Sequence, residues 1–324
     1  MSQSQTHLSQ ALEEESKREN QYDEKGKYLI SHKECLARIM QQCIPEYKDC
    51  SLDEIREEYI EGTPMVMTVP VHKNATNSEM IRGMNVEDTS INEGTVRYDI
   101  RFYALTPGKD QVEVIINVEI QNQKNVGYHL VKRALYYCAR MISSQYEVEF
   151  SKADYDKIKR VYSIWLCIDR NERGENAITT YAIQEQNVVG NVSAEFLDYD
   201  LMHAIMVRIG DPRKPDYEGI IKFLGVLLSK EKAAQEKKAI LEAEFGLKMS
   251  DEMEQEVQEM GSLGRSIFED GLEQGIERGE KKKAMEVVHK LYTRGMSIEQ
   301  ISEVAGVSEK IVKEWVKEMA VPVG

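Results

Sequence analysis

Asp99, Glu119 and Gln121 are the residues of this chain whose types and spacing could do chemistry. Asp99 lies in the strand-like run 96–102 (VRYDIRF), and Glu119 and Gln121 close the apolar run 114–121 (VIINVEIQ). The segment 106–110 (TPGKD) between them has the composition of a turn, so the two runs read as a hairpin. Side chains alternate across a strand, which puts Glu119 and Gln121 on one face, roughly 7 Å apart, and Val118 and Ile120 on the other. A carboxylate at the end of a strand buried on both sides is costly without a partner. A hard divalent cation is such a partner. Mg2+, or Mn2+ in its place, takes one or two carboxylates together with waters and phosphate oxygens. Asp99 and Glu119 would hold it, and it would generate hydroxide, stabilise the leaving oxygen and orient a scissile phosphate. Gln121 has no charge and can orient water or phosphate only through hydrogen bonds. On a solvated sheet edge the same carboxylates would do no chemistry, and spacing alone does not separate the two readings.

The hairpin needs a scaffold. Residues 1–22 are rich in Ser, Gln and Glu and read as a disordered tail. Leu29, Ile30, Leu36, Ala37, Met40, Cys43 and Ile44 then fall at helical spacing, and Pro45 ends that helix. Ser51 and Glu54 make a capping box for a second helix running to about residue 61, where Gly62 stops it. Residues 66–71 read as a strand and 73–93 as a loop or short helix. After the hairpin comes a helix over 128–143, with Tyr128, Val131, Leu135, Cys138 and Ile142 as its apolar stripe. Arg133, Tyr137 and Arg140 project from the opposite side, next to Lys132. Arg, Lys and Tyr together suit a phosphate backbone and exposed bases, or else simply solvate the face. Residues 161–168 (VYSIWLCI) read as a central strand, 178–184 as another, and 201–209 as a strand or short helix. The class predicted is α/β, with a restriction-endonuclease-like core over 23–230 in which a mixed sheet is flanked by helices.

Beyond residue 215 the strand signals vanish, which predicts an all-α C-terminal extension. Residues 231–283 read as a charged helical linker in which Gly271, Gly275 and Gly279 recur every fourth position. Each interior glycine costs a helix about 0.8–1 kcal/mol relative to alanine, so the tract reads as a soft linker or as a face for close packing. Residues 284–324 resemble a helix-turn-helix, with a second capping box at Ser297 and Gln300, a turn at Gly306 and Ser308 capping the last helix. Lys310, Lys313 and Lys317 there are matched by Glu309, Glu314 and Glu318, so DNA binding and protein association are both open.

The 324 residues carry a net charge of −14, which excludes a basic nucleic-acid coat protein but not a nuclease, whose metal site is itself acidic. Five cysteines without a CxxC pair read as reduced thiols of a cytoplasmic protein, and the six histidines show no zinc spacing. The polar start lacks the apolar core of a signal peptide, and no apolar run approaches 18 residues, so no membrane partner is expected.

Residues 98–102 (YDIRF), 117–121 (NVEIQ) and 128–145 (YHLVKRALYYCARMISSQ) closely resemble the Rpn-like PD-(D/E)XK nucleases, often labelled recombination-promoting nucleases or putative transposases. The resemblance covers about residues 27–230, and the glycine tract resembles the tails of that family. It implies that Asp99 is the family's metal-binding aspartate, Glu119 its glutamate and Gln121 its lysine position, in a branch where Glu-x-Lys becomes Glu-x-Gln. Tyr98 stands where the superfamily pattern has proline. An early helix of the superfamily often donates a further metal-site glutamate, which here implies Glu58 or Glu61. The activity implied is a metal-dependent DNA endonuclease linked to recombination or mobile elements, with DNA as partner and a homodimer formed through the helical tail. The alternative is a non-catalytic DNA-binding or oligomeric protein on the same fold.

Overall fold

The apolar run before Glu119 becomes the middle of a sheet because its β-branched side chains fill both faces. Every residue from Val114 to Glu119 is buried. The computed structural model describes residues 7–62, 64–66, 87–90, 94–108, 113–121, 127–168, 176–192 and 194–319. In chain order the elements are α1 (His7–Ser31), α2 (Lys33–Cys43), α3 (Leu52–Glu54), β1 (Met65–Val66), β2 (Glu87–Ser90), β3 (Gly94–Arg97), β4 (Ile100–Leu105), β5 (Glu113–Gln121) and α4 (Leu130–Ser143). Then follow β6 (Val161–Cys167), β7 (Ala177–Ala182), α5 (Phe196–Tyr199), β8 (Met202–Arg208), α6 (Gly219–Leu227), α7 (Ala234–Phe245), α8 (Asp251–Thr293), α9 (Ile298–Ala305) and α10 (Glu309–Met319).

Six strands form one mixed sheet in the order β1-β4-β5-β6-β8-β7. β1, β4 and β5 run antiparallel, β5, β6 and β8 run parallel, and β7 returns antiparallel to β8. A parallel pair needs a crossover, and α4 is the crossover between β5 and β6. It packs on β6 and β8. The α/β class with flanking helices therefore holds. The residues read as a strand or short helix over 201–209 form strand β8.

Several local expectations change. Residues 96–102 do not form one strand: β3 ends at Arg97, β4 begins at Ile100, and Tyr98 and Asp99 lie in the break. Most of the expected disordered tail is helical, since α1 starts at His7 and buries Tyr22, whose hydroxyl donates to the Leu228 carbonyl at 2.9 Å. The next expected helix is split at His32 between α1 and α2. The Ser51–Glu54 capping box forms as read, but α3 passes at once into a π-turn over Ile55–Tyr59. Of the strand read over 66–71, Val66 is in β1 and the rest lies outside the described residues.

The stripe on α4 is also rotated from the reading. Ala134, Tyr137, Cys138, Arg140 and Met141 are buried, whereas Tyr128 and Leu135 are exposed. The reason is aromatic packing: the Tyr137 ring lies edge-on between Tyr98 and Trp165, with both centroid separations 5.3 Å. A phenol in that slot turns the helix by about one position.

The chain divides into two compact units at Gly264 and Arg265. Of the expected linker, residues 231–264 belong to the first unit and 265–283 to the second. Leu241, Leu247, Met253, Val257 and Met260 are all buried in the first unit. The second unit contains the end of α8 with α9 and α10, around a core of Val288, Ile301, Val312 and Trp315. Its capping box at Ser297 and Gln300 is present, and Gly306 takes the left-handed conformation that ends α9. Among the described residues, no helix is long and apolar enough to cross a membrane.

Candidate active site

β4 and β5 bring Asp99 and Glu119 together. Register pairs Ile100 with Val118, so the residue before Ile100 meets the residue after Val118. The two carboxylates then interlock through the backbone. The Asp99 amide donates to Glu119 Oε1 at 3.0 Å, and the Ile120 amide donates to Asp99 Oδ2 at 3.0 Å. Asp99 is 8% exposed and Glu119 3% exposed. Burial, and after it the charge of Asp99, pushes the Glu119 carboxyl up from its ordinary 4.5 to about 8.

A buried polar chain fixes Glu119 from below. Asn117 Nδ2 donates to Glu119 Oε1 at 2.8 Å, Ser163 Oγ donates to Asn117 Oδ1 at 2.9 Å, and Trp165 Nε1 donates to Ser163 Oγ at 2.9 Å. Strand pairing explains the alignment, because Asn117 is beside Ser163 and Glu119 beside Trp165 on β5 and β6. The sequence reading did not single out Asn117, Ser163 or Trp165. The signal was there, since Asn117 lies two residues before Glu119 on the same face, and Ser163 interrupts an apolar strand.

Gln121 ends β5, buried, with Cys167 as its neighbour on β6. Arg133 reaches the site from α4. Its guanidinium lies 5.1 Å from the centre of the Tyr137 ring and 5.2 Å from that of Trp165, and it donates to the Tyr137 and Tyr128 hydroxyls at 2.7 and 2.6 Å. Its charge favours ionised Glu119. Lys132 is exposed beside it. Tyr137 and Arg140, expected on the outer face, instead turn toward the sheet, at 6% and 4% exposure. Tyr137 thus lines the site from behind. Arg140 is about two helical turns from Arg133, packed inside and not offered to a strand of DNA.

The early helix does not deliver a glutamate. Glu58 is exposed on the π-turn. The Glu61 amide bonds the Tyr103 carbonyl at 3.2 Å, which places that residue about four positions, roughly 13 Å, along β4 from Asp99. What reaches the pair is Lys27 of α1, whose Nζ lies 2.8 Å from Asp99 Oδ1.

No protein-family model, curated protein or solved structure matches this chain.

Among the described residues, no group of three or more His, Cys, Asp or Glu side chains is placed to hold a metal ion. Two converging carboxylates nevertheless suit Mg2+, which keeps several waters and takes one or two protein carboxylates. A buried pair of like charges, one of them driven toward its neutral form, is the environment a cation relieves.

Proposed function

We propose that this chain is a metal-dependent deoxyribonuclease of the Rpn-like PD-(D/E)XK type, cytoplasmic, acting on DNA in recombination or element mobility. The observation that carries the reading is the interlock of Asp99 and Glu119 at the end of a central strand, with both carboxylates buried. A surface pair with no task has no reason to accept that burial. The order in which strands and crossover helix bracket the pair adds support, as does the resemblance of residues 98–102, 117–121 and 128–145.

Asp99 and Glu119 would hold Mg2+ or Mn2+, which would supply Lewis acidity toward a water and the leaving oxygen. The residues of the chain do the rest. Asn117 and the Asp99 amide hold Glu119 Oε1 in one orientation. Gln121 hydrogen-bonds the water or a phosphate oxygen. Arg133, braced by Tyr128, Tyr137 and Trp165, faces the phosphate, and Lys132 steers the backbone. The water oxygen bonds to phosphorus as one phosphorus–oxygen ester bond breaks. The water gives up a proton and the departing oxygen takes one, leaving a phosphate monoester and a hydroxyl.

The helical second unit is the proposed homodimer contact. Phe268, Leu272 and Ile276 are exposed one turn apart on α8, an apolar line that a second copy would cover. The alternative, a non-catalytic DNA-binding or oligomeric protein, is favoured by the balanced charges of α10 and by the Lys27 ion pair to Asp99. Incubating supercoiled plasmid with the protein and Mg2+, Mn2+ or EDTA tests the reading. Nicking that needs the metal supports it, and intact plasmid under all three conditions rejects it.

A further inference from the structure

We propose that Lys27 is a catalytic residue, supplying from α1 the ammonium that the Glu-x-Gln strand lacks. The inference rests on the nuclease reading above and goes beyond it, because neither the hairpin nor α4 contains this residue. Position 121 is glutamine, which can donate a hydrogen bond but brings no positive charge to a phosphate gaining negative charge in the transition state. Lys27 brings that charge to the same end of β5. Its Nζ is 2.8 Å from Asp99 Oδ1, while Asp99 Oδ2 accepts from Ile120, the residue between Glu119 and Gln121.

The pair is not a surface ion pair of the weak kind. The Lys27 side chain is 16% exposed and that of Asp99 11%, so the pair is largely withdrawn from water. α1 holds it there. Gly26, the preceding residue, lies against Ile120, Leu228 and Met260, where a Cβ would stand 3.5–3.8 Å from each. Tyr22, one turn earlier, is buried and tied to the Leu228 carbonyl, and Leu29 and Ile30 are fully buried on the other side. The helix is thus fixed on both flanks of Lys27. With three N–H donors, the ammonium can keep Asp99 and also donate to a non-bridging phosphate oxygen. It transfers no proton, and its contribution is positive charge and hydrogen bonds to the developing phosphate charge.

The test compares wild type, Lys27→Met, Lys27→Gln and each of these combined with Gln121→Lys. Plasmid cleavage in Mg2+ is measured alongside Mn2+ binding by calorimetry and thermal melting. Expected is a loss of about 100-fold or more in cleavage for both single variants, the scale of removing one transition-state donor. Mn2+ binding should be retained or tighter, since Asp99 loses a competing cation. Adding Gln121→Lys should recover at least about tenfold, a rescue that a structural role for Lys27 does not give. Lys27→Gln keeps a hydrogen-bond donor toward Asp99 and serves if Lys27→Met melts early. Wild-type cleavage with an unchanged rate in Lys27→Gln overturns the role of Lys27 and leaves the nuclease reading standing. Loss of cleavage together with loss of Mn2+ binding, and no rescue by Gln121→Lys, assigns Lys27 a structural part and overturns the proposal. Wild type that binds no Mn2+ and cleaves nothing overturns the nuclease reading, and the proposal with it.

Discussion

Glu119 must stay buried and yet ionise to hold a cation, and its surroundings serve both needs. Burial and Asp99 raise its ionisation to about 8, while Asn117, the Asp99 amide and the Arg133 charge favour the ionised form. The folded protein therefore keeps a proton between about pH 4.5 and 8 that the unfolded chain has already lost. Stability contributed by this group is present at low pH and falls as pH rises through that window, by at most about 1.4 kcal/mol per pH unit. Urea unfolding in EDTA should show wild type losing more stability than Glu119→Gln between about pH 5 and pH 8. Parallel curves would contradict the assignment. Excess Mg2+ should flatten the wild-type curve, because a ligand that binds only the folded state stabilises it. Asn117→Ala removes a buried partner and should cost about 1–3 kcal/mol in stability. In a cleavage assay it should lower the rate about tenfold or more, with Ser163→Ala giving a smaller effect in the same direction. Equal rates for all three proteins would show that the polar chain does not orient Glu119.

Elements were legible where local chemistry alone decides them. The two capping boxes, the apolar strands β5 and β6, and Gly306 after α9 all form as the residue types require. The rotation of α4 was not legible, because it depends on the Tyr137 ring meeting Tyr98 and Trp165 from two other elements. The helix over 7–22 was hidden for a similar reason: its sequence is polar, and it docks through Tyr22 and an ion pair of Glu19 with Lys230. Lys27 looked like any solvated lysine until α1 was placed against β5. The glycines of α8 divide by the same logic. At Gly264 a Cβ would stand 2.8 Å from the Tyr22 ring and 3.1 Å from the Lys230 backbone, whereas at Gly275 it would meet nothing within 4 Å. Gly264→Ala should therefore destabilise by about 1–3 kcal/mol through overpacking. Gly275→Ala should stabilise by up to about 1 kcal/mol through helix propensity. Thermal melts of the two variants check this, and a destabilising Gly275→Ala would mean that a partner occupies that face.

At the scale of the whole molecule, two units of different character share one acidic chain of net charge −14. The first carries the sheet and the candidate site, and the second has its own small core. Trp315→Ala should remove about 3–5 kcal/mol from the second core. Cleavage at saturating DNA should survive it, since the proposed chemistry lies in the first unit. Loss of oligomer by sedimentation in the same variant would support dimerisation through the helical tail, and an unchanged sedimentation profile would remove that role. The central claim is that Asp99 and Glu119 form a metal-dependent phosphodiesterase site. Its most direct measurement is supercoiled-plasmid cleavage by wild type, Asp99→Ala and Glu119→Ala in Mg2+, Mn2+ and EDTA. Nicking by wild type that EDTA stops and that both substitutions reduce by about 100-fold or more is the expected result. Cleavage that persists in either variant, or its absence from wild type in every metal, would contradict the claim.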